Sequence, residues 1–333
     1  MTERITLGHG SGGKLSAELI DGFKSVFRNP ILNRLEDSAV FPFSGRMAFT
    51  TDSFVVNPLF FPGGNIGSLA VTGTVNDLCA VGAKPLHLSL ALIIEEGFEF
   101  SRLKKIINSA RLAAEGAGCR IVTGDTKVVE AGKADGIYIN PAGCGIIPET
   151  VRLGREKIRP GDLIAVNGSL GEHAAAVLMA RNEFALSGRI KSDAAPLNGL
   201  VAGLLSEFKT VHFIRDVTRG GLATILTEVS QDMSWGIEVF EEKIPFRRPV
   251  LAVAEILGLD PLYFACEGRA VFFISPKESK EFLARMKKSG LGRSARIIGR
   301  VVSGPAGRCL LRTGIGGTRV LEKLSGEQLP RIC

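Results

Sequence analysis

Aromatic side chains that stack on nucleic-acid bases are scarce in this chain, with one Trp and two Tyr among 333 residues. The formal net charge is +7, yet the Lys and Arg residues are scattered and form no basic stripe interleaved with aromatics. A nucleic-acid partner is therefore not expected, and the positive balance suits small anionic ligands. The six cysteines (Cys79, Cys119, Cys144, Cys266, Cys309 and Cys333) contain no C-x-x-C pair and no zinc-type spacing. Five of them lie in apolar or glycine-containing stretches and read as small buried hydrophobes. Cys333, in LPRIC, does not. The opening residues MTERITLGHG lack the apolar stretch of a secretory signal. No apolar run approaches the ~20 residues that span a bilayer. These absences lead to the expectation of a cytoplasmic protein in a reducing compartment, with no membrane contact.

What is present points to a folded chain with working loops. The length fits two domains, and a hydrophobic fraction of 45% supplies full cores. The 40 glycines fall in clusters rather than in a repeat, as expected where the backbone must approach a ligand or take positive φ. Along the first half, KLSAELIDGFKSVF places Leu15, Leu19, Phe23 and Phe27 at helical spacing, and Asn29-Pro30 ends it. SAVFPF and RMAFTTDSFVV read as strands, IGSLAVTGTVNDLCAVG as a small-residue helix and HLSLALII as a buried strand. SRLKKIINSARLAAEGAG reads as an amphipathic helix and RIVTGDTKVV as a returning strand. At 148–162 the composition turns to Pro, Gly and charge. The expected organisation is an N-terminal domain over 1–155, a C-terminal domain over 156–322 and a tail over 323–333. In the second half DLIAVNG and VHFIRDVTRGG read as strands running into glycine loops, followed by the helices EHAAAVLMAR and LATILTEVSQDM.

GHGSGGKLS at 8–16 satisfies G-x-G-x-x-G through Gly8, Gly10 and Gly13, and G-x-x-x-x-G-K through Gly8 to Lys14. Both patterns fail in context. A P-loop needs Ser or Thr after its lysine, where this chain has Leu15. A dinucleotide fold needs a preceding strand, and only ITL is available. The shared physics survives: glycine-flanked amides opening a helix attract anions, and Lys14 adds a mobile positive charge.

The aspartates carry the more specific signal. Asp37, Asp52, Asp77, Asp125 and Asp216 each sit at a strand end or helix start among Thr, Asn and Gly. Any one alone reads as a cap or turn residue. Hard carboxylate oxygens without His or paired Cys suit Mg²⁺, which binds one or two carboxylates plus phosphate oxygens. Glycine loops, aspartates and lysines together make an ATP site, because phosphoryl transfer needs mainly positioning and charge neutralisation.

GSGGK, TDSFVVNPLFFPGGNIGSLAVTGTVNDL, TGDTKVV, DVTRGGLA, ACEGR and the terminal PRIC together resemble the HypE family of hydrogenase maturation proteins. That family belongs to the superfamily of aminoimidazole ribonucleotide synthetase, selenophosphate synthetase and thiamine-monophosphate kinase. The glycine motifs are common to the superfamily, whereas the TDSFVV to VNDL block and PRIC are specific to the member. The resemblance implies an α/β fold of two AIR-synthase-like domains, the N-terminal one a homodimer through its mainly β sheet. ATP and Mg²⁺ would lie where the N-terminal domain of one or both subunits meets the rest. It implies that Cys333 receives a carbamoyl group from HypF, that the carboxamide is dehydrated with ATP to a thiocyanate, and that the cyano group passes to iron on the HypC–HypD complex.

Carried over by motif, Asp52, Asp77 and Asp125 come first as metal ligands, with Asp37 and Asp216 in second place. Gly10, Ser11, Gly12, Gly13, Lys14, Asn76, Gly124, Thr126, Gly220 and Gly221 would bind the nucleotide. Lys127 would neutralise phosphate or substrate oxygen, and Glu267 would be the general base. A surface Glu267 paired with Arg269 is the alternative for that residue. His173 is expected to line the second glycine loop, and Trp235 to lie at a partner or core surface. EKLSGEQLPRIC is polar enough for a short carrier tail, and Pro330 keeps it from continuing as helix. The rival enzyme is a selenophosphate synthetase-like kinase, which carries a reactive Cys or selenocysteine where this chain has Ser11 and Gly12. The rival outside enzymes is a non-catalytic ATP-binding scaffold for metallocentre assembly.

Overall fold

The structure is a computed structural model, and it describes residues 4–11, 13–34, 38–181 and 190–324. Helix α1 (Lys14–Phe27) spans the segment that the Leu15–Leu19–Phe23–Phe27 spacing predicts. It stops at Arg28, which takes a left-handed φ of 35° just before Asn29-Pro30. Strand β1 (Arg46–Thr51) follows, then the short hairpin β2 (Phe60–Phe61) and β3 (Gly64–Asn65). Helix α2 (Ile66–Ala80) starts in a capping box: the Asn65 side chain accepts from Gly67 N at 2.9 Å, and Ser68 Oγ accepts from Asn65 N at 3.0 Å. Its small residues are buried on every side. A Cβ at Gly67 would lie 2.2 Å from the Ile106 carbonyl oxygen, so only glycine lets α2 approach helix α3 (Phe100–Gly116) this closely.

Strands β4 (Lys84–Glu95), β5 (Arg120–Val129) and β6 (Ile137–Ile147) complete a four-stranded sheet of order β1-β6-β4-β5. The β4–α3–β5 unit is parallel and the other pairings are antiparallel. Leu88, Leu90, Leu92 and Ile94 point from β4 into the core. The opposite face of this sheet is open: Met47, Phe49 and Ile93 are 51%, 69% and 42% exposed.

The second half forms a seven-stranded sheet from β7 (Leu163–Val166), β8 (Val211–Asp216), β9 (Gly236–Phe240), β10 (Ala270–Ile274), β11 (Arg296–Val302), β12 (Cys309–Arg312) and β13 (Thr318–Leu321). Its order is β13-β12-β9-β11-β7-β10-β8, with β12 and β9 parallel and the other neighbours antiparallel. The α-helices of this half among the described residues are α4 (Glu172–Ala180), α5 (Asn198–Glu207), α6 (Gly221–Ser230), α7 (Arg248–Leu257) and α8 (Ser279–Lys287). Both faces of β10 are buried: Phe272 and Ile274 join one core, Val271 and Phe273 the other. This explains its unbroken apolar sequence.

Several expectations change. SAVFPF is not a strand: residues 38–44 carry no ladder, Pro42 has no N–H to offer one, and Phe41 packs against His87 with ring centroids 4.3 Å apart and the rings tilted by 58°. ITL is not a strand either, although Ile5 exchanges backbone bonds with Phe98 and Gly97 before a 3-10 turn at Leu7–Gly10. Trp235 is 5% exposed and belongs to the core under the second sheet. Cys79, Cys119, Cys144, Cys266 and Cys309 are all buried, as their surroundings predict. Among the described residues no helix is long and apolar enough to cross a membrane.

Candidate functional site

A cleft of about 880 Å³ opens between the end of β1, the C-terminal half of α2 and the end of β8. Asp52 follows the last residue of β1 and turns its Oδ1 onto Ser53 N at 2.8 Å. Asp77, on α2, accepts the Thr50 hydroxyl at 2.8 Å. Asp216 ends β8, and Thr218, Arg219 and Glu267 complete the wall. Gly220 and Gly221 shape this wall rather than line it. Both have positive φ, and a Cβ at Gly221 would lie 2.5 Å from the Leu262 carbonyl oxygen, so the pair allows α6 to start immediately after Arg219.

Four carboxylates therefore converge, and their electrostatics show what the cleft lacks. Burial raises Asp52 and Asp77, with Asp77 adding to the rise at Asp52, while Arg215 and Arg219 act in the opposite direction at Asp77. Burial pushes Asp216 up to about 7, and the charges of Asp77 and Asp52 add to this. Glu267 is held well above the usual carboxylate range by burial first, then by Asp193, Asp216, Asp52 and Asp77. Such groups stay ionised together only if positive charge is placed among them. Among the described residues no three Asp, Glu, His or Cys side chains come close enough to hold a metal ion by themselves. The donor set fits Mg²⁺, which needs one or two of these carboxylates and takes its other oxygens from phosphate and water.

Glu267 is not a surface residue paired with Arg269. It is buried, and Arg269 pairs instead with Glu172 at 3.1 Å and Asp193 at 3.4 Å. The backbone of Glu267 is clamped from two sides: its N–H donates to Asp193 Oδ1 at 3.1 Å, and its carbonyl accepts from Asn76 Nδ2 at 3.0 Å. Asn76 also donates to Ala195 O at 3.2 Å and accepts from Leu197 N at 2.8 Å, so its amide is fully engaged by main chain. It sits one residue from Asp77 but holds the Glu267 loop. Gly268 continues the clamp, since a Cβ there would be 2.1 Å from the Asp193 carbonyl oxygen.

The remaining sequence candidates form a second group. Gly10 lies against β5, where a Cβ would meet Val128 N at 2.6 Å. Ser16 Oγ ties the loop back to α1 by donating to His9 O at 2.8 Å. Gly10, Ser11, Gly124, Asp125, Thr126 and Lys127 border a cavity of about 520 Å³ between this loop, α1 and β5. Gly13 caps α1, and Lys14 is exposed at its first position.

Asp125 and Lys127 are not beside Asp52 in one chain. β1 and β5 are opposite edges of the sheet, three strand spacings or roughly 14 Å apart. Lys127 is in register with the exposed Ile93, on the open sheet face. Gly12, Asp37 and Cys333 lie outside the described residues. His173 is buried beside the second glycine loop, bonded to Ser192 Oγ at 2.8 Å, and burial lowers it to about 3. Sequence reading missed Thr50, Asp193, Arg215 and Arg219. Arg219 was reachable through the DVTRGG motif, whereas Asp193 stands in a loop with no pattern.

Two domain families describe this architecture: the AIR synthase related protein N-terminal domain matches residues 35–147 and the corresponding C-terminal domain matches 159–311. A carbamoyl dehydratase HypE from Rhodobacter capsulatus is 47% identical over 99% of this chain and 98% of its own. The crystal structure of a hydrogenase maturation protein HypE in complex with ATP superposes with a TM-score of 0.94 at 41% identity, covering 98% of this chain and 99% of that one. A HypE–HypF complex structure matches with a TM-score of 0.81 at 42% identity, over 93% and 100% of the two chains. The chain belongs to the HypE family of carbamoyl dehydratases, within the AIR synthase related proteins.

Proposed function

We propose that the protein uses ATP to dehydrate a carboxamide carried on the Cys333 thiol to a thiocyanate, supplying the cyanide ligand for the iron of NiFe hydrogenase. The observation that carries this reading is the buried carboxylate cleft, in which Glu267 is held by its own backbone among Asp52, Asp77 and Asp216. ATP bound to a relative of 41% identity supports the nucleotide.

The chemistry balances as Cys–S–C(O)NH₂ plus ATP giving Cys–S–C≡N, ADP and phosphate. The carboxamide oxygen attacks the γ-phosphorus and becomes a phosphate leaving group. Loss of the N–H protons then opens the C–O bond and forms the nitrile. Glu267 would take such a proton, and Lys127 would balance charge on the phosphorylated oxygen. Asp52 and Asp77, with Asp216, would hold Mg²⁺, which supplies charge neutralisation for the triphosphate. The same positive charge would bring Glu267 back toward its ionised, basic form.

Residues of both subunits would complete the site. Met47, Phe49 and Ile93 leave an apolar sheet face uncovered, and a second copy seated there would form the homodimer. It would carry Asp125, Lys127 and the Gly10–Lys14 loop to the carboxylate cleft of its partner. Residues 1–155 and 156–322 would be the two domains and 323–333 the carrier tail. HypF would load the tail, as the complex of a relative suggests, and the HypC–HypD complex would accept the cyano group in the cytoplasm. ATP turnover that requires carbamoylated Cys333 is the expected result. Turnover that is indifferent to Cys333, or ATP binding without turnover, would favour the kinase or the scaffold.

A further inference from the structure

Residues 148–162 leave β6 and enter β7, and part of this crossing forms one wall of a third concavity of about 560 Å³. The other wall is the end of α5 and the start of β8. Its base is apolar, with Val151, Leu205, Phe208 and Val211 all buried. Its lining carries Arg152, Lys157, Arg159, Lys209 and His212, and no carboxylate. It shares no residue with the carboxylate cleft.

These cations are poorly compensated. Among the described residues Arg152, Lys157 and Lys209 make no ion pair, and Arg159 reaches Asp162 only at 4.0 Å. All three are instead anchored on main chain: Arg152 Nη1 donates to Val151 O at 3.0 Å, Lys157 Nζ to Arg152 O at 2.8 Å and Lys209 Nζ to Leu205 O at 3.2 Å. Each ammonium keeps further donors. Behind them Asp162, 1% exposed, accepts His212 Nδ1–H at 2.7 Å and Arg159 N at 3.0 Å. That bond fixes the imidazole and leaves Nε2 as its remaining polar atom.

Gathering four full positive charges on a concave wall costs self-repulsion, which a compact multivalent anion would relieve. Guanidinium forks and ammonium point charges are the pair of donors that suit phosphate oxygens. We propose that this pocket binds a di- or triphosphate oxyanion, at a site separate from the ATP-turnover cleft. Its compact shape favours such an anion over an extended acidic peptide. Because the wall is the segment joining the two sheets, occupancy ties that segment to α5 and β8.

The test uses the full chain with ¹⁵N-labelled histidine, whose four residues can be assigned with His212→Gln. Pyrophosphate is titrated into the parent and into the Arg152→Gln/Lys157→Gln/Lys209→Gln variant. The His212 ring signals should move saturably in the parent, and affinity should fall by about tenfold or more in the variant. Turnover of carbamoylated Cys333 should be alike in both, which keeps this site distinct from the catalytic one. Equal movement with pyrophosphate and ADP assigns recognition to the phosphates. The proposal is overturned by His212 signals that stay still, by equal affinity in the variant, or by a response to ADP or hexaglutamate with none to pyrophosphate.

Discussion

Asn76 Nδ2 donates to the Glu267 carbonyl oxygen at 3.0 Å, joining residues 191 positions apart. The bond fixes the loop of the proposed base to the helix that carries Asp77. Asn76→Ala would leave the Glu267 and Ala195 carbonyls and the Leu197 N–H without this partner. Each buried group left unpaired costs about 1–3 kcal/mol, so a lower unfolding midpoint in urea is expected. If the clamp aims Glu267, kcat should fall further than ATP affinity does. Equal losses in both would reduce Asn76 to a purely structural residue.

Asp77→Ala removes one of four crowded carboxylates. Its loss relieves repulsion on Asp52, Asp216 and Glu267, so thermal stability should hold or rise. Mg²⁺-dependent turnover should nevertheless be abolished, and Asp52→Ala should behave alike. Normal turnover in both variants would remove the metal assignment.

The glycine loop offers an internal control. A Cβ at Gly10 would press on Val128 N at 2.6 Å, while a Cβ at Gly13 meets nothing within 4 Å. Gly10→Ala should therefore displace the loop from β5 and weaken ATP binding by about tenfold or more, with Gly13→Ala close to the parent. Equilibrium dialysis with ATP would check both, and unaltered affinity in Gly10→Ala would separate this loop from nucleotide binding.

His173 provides a pH signature of folding. Burial lowers its pKa from 6.5 to about 3, so between those values only the unfolded chain takes up the proton. Its contribution to stability is complete above pH 6.5 and is lost as pH falls toward 3. The slope is about 1.4 kcal/mol per unit, or about 2 kcal/mol by pH 5. Buried Asp193 and Asp216, held at about 6 and 7, act in the opposite sense. The readout is thus the difference between the parent and His173→Gln. From pH 7.5 to 5 the change in unfolding free energy should be about 2 kcal/mol less favourable in the parent than in the variant, and identical pH responses would contradict the assignment.

The fold was legible where one residue pattern decides one element. The span of α1 follows from four apolar residues at helical spacing, and β5 coincides with RIVTGDTKVV. The site was legible only as a census. That Asp52 and Asp125 stand at opposite edges depends on the order β1-β6-β4-β5, which no local pattern encodes. Asn76 shares the VNDL motif with Asp77, and the motif does not show which way each side chain faces. Neighbours on a helix, however, point about 100° apart: Asp77 faces Thr50, and Asn76 faces the Glu267 loop. Asp193 acts through a buried backbone bond, for which its loop sequence carries no sign.

The proposed role of Glu267 is to take the proton that turns the carboxamide on Cys333 into a nitrile. Its most direct test is the mass of the Cys333 peptide, followed in single turnover after carbamoylation and addition of ATP and Mg²⁺. The parent should lose the mass of one water. Glu267→Gln keeps the size of the side chain and removes the base, and should slow that loss by about 10²–10⁴ while carbamoylated Cys333 accumulates. Loss of water at the parent rate in Glu267→Gln would contradict the account and move the base elsewhere, with Lys127 the next residue to examine.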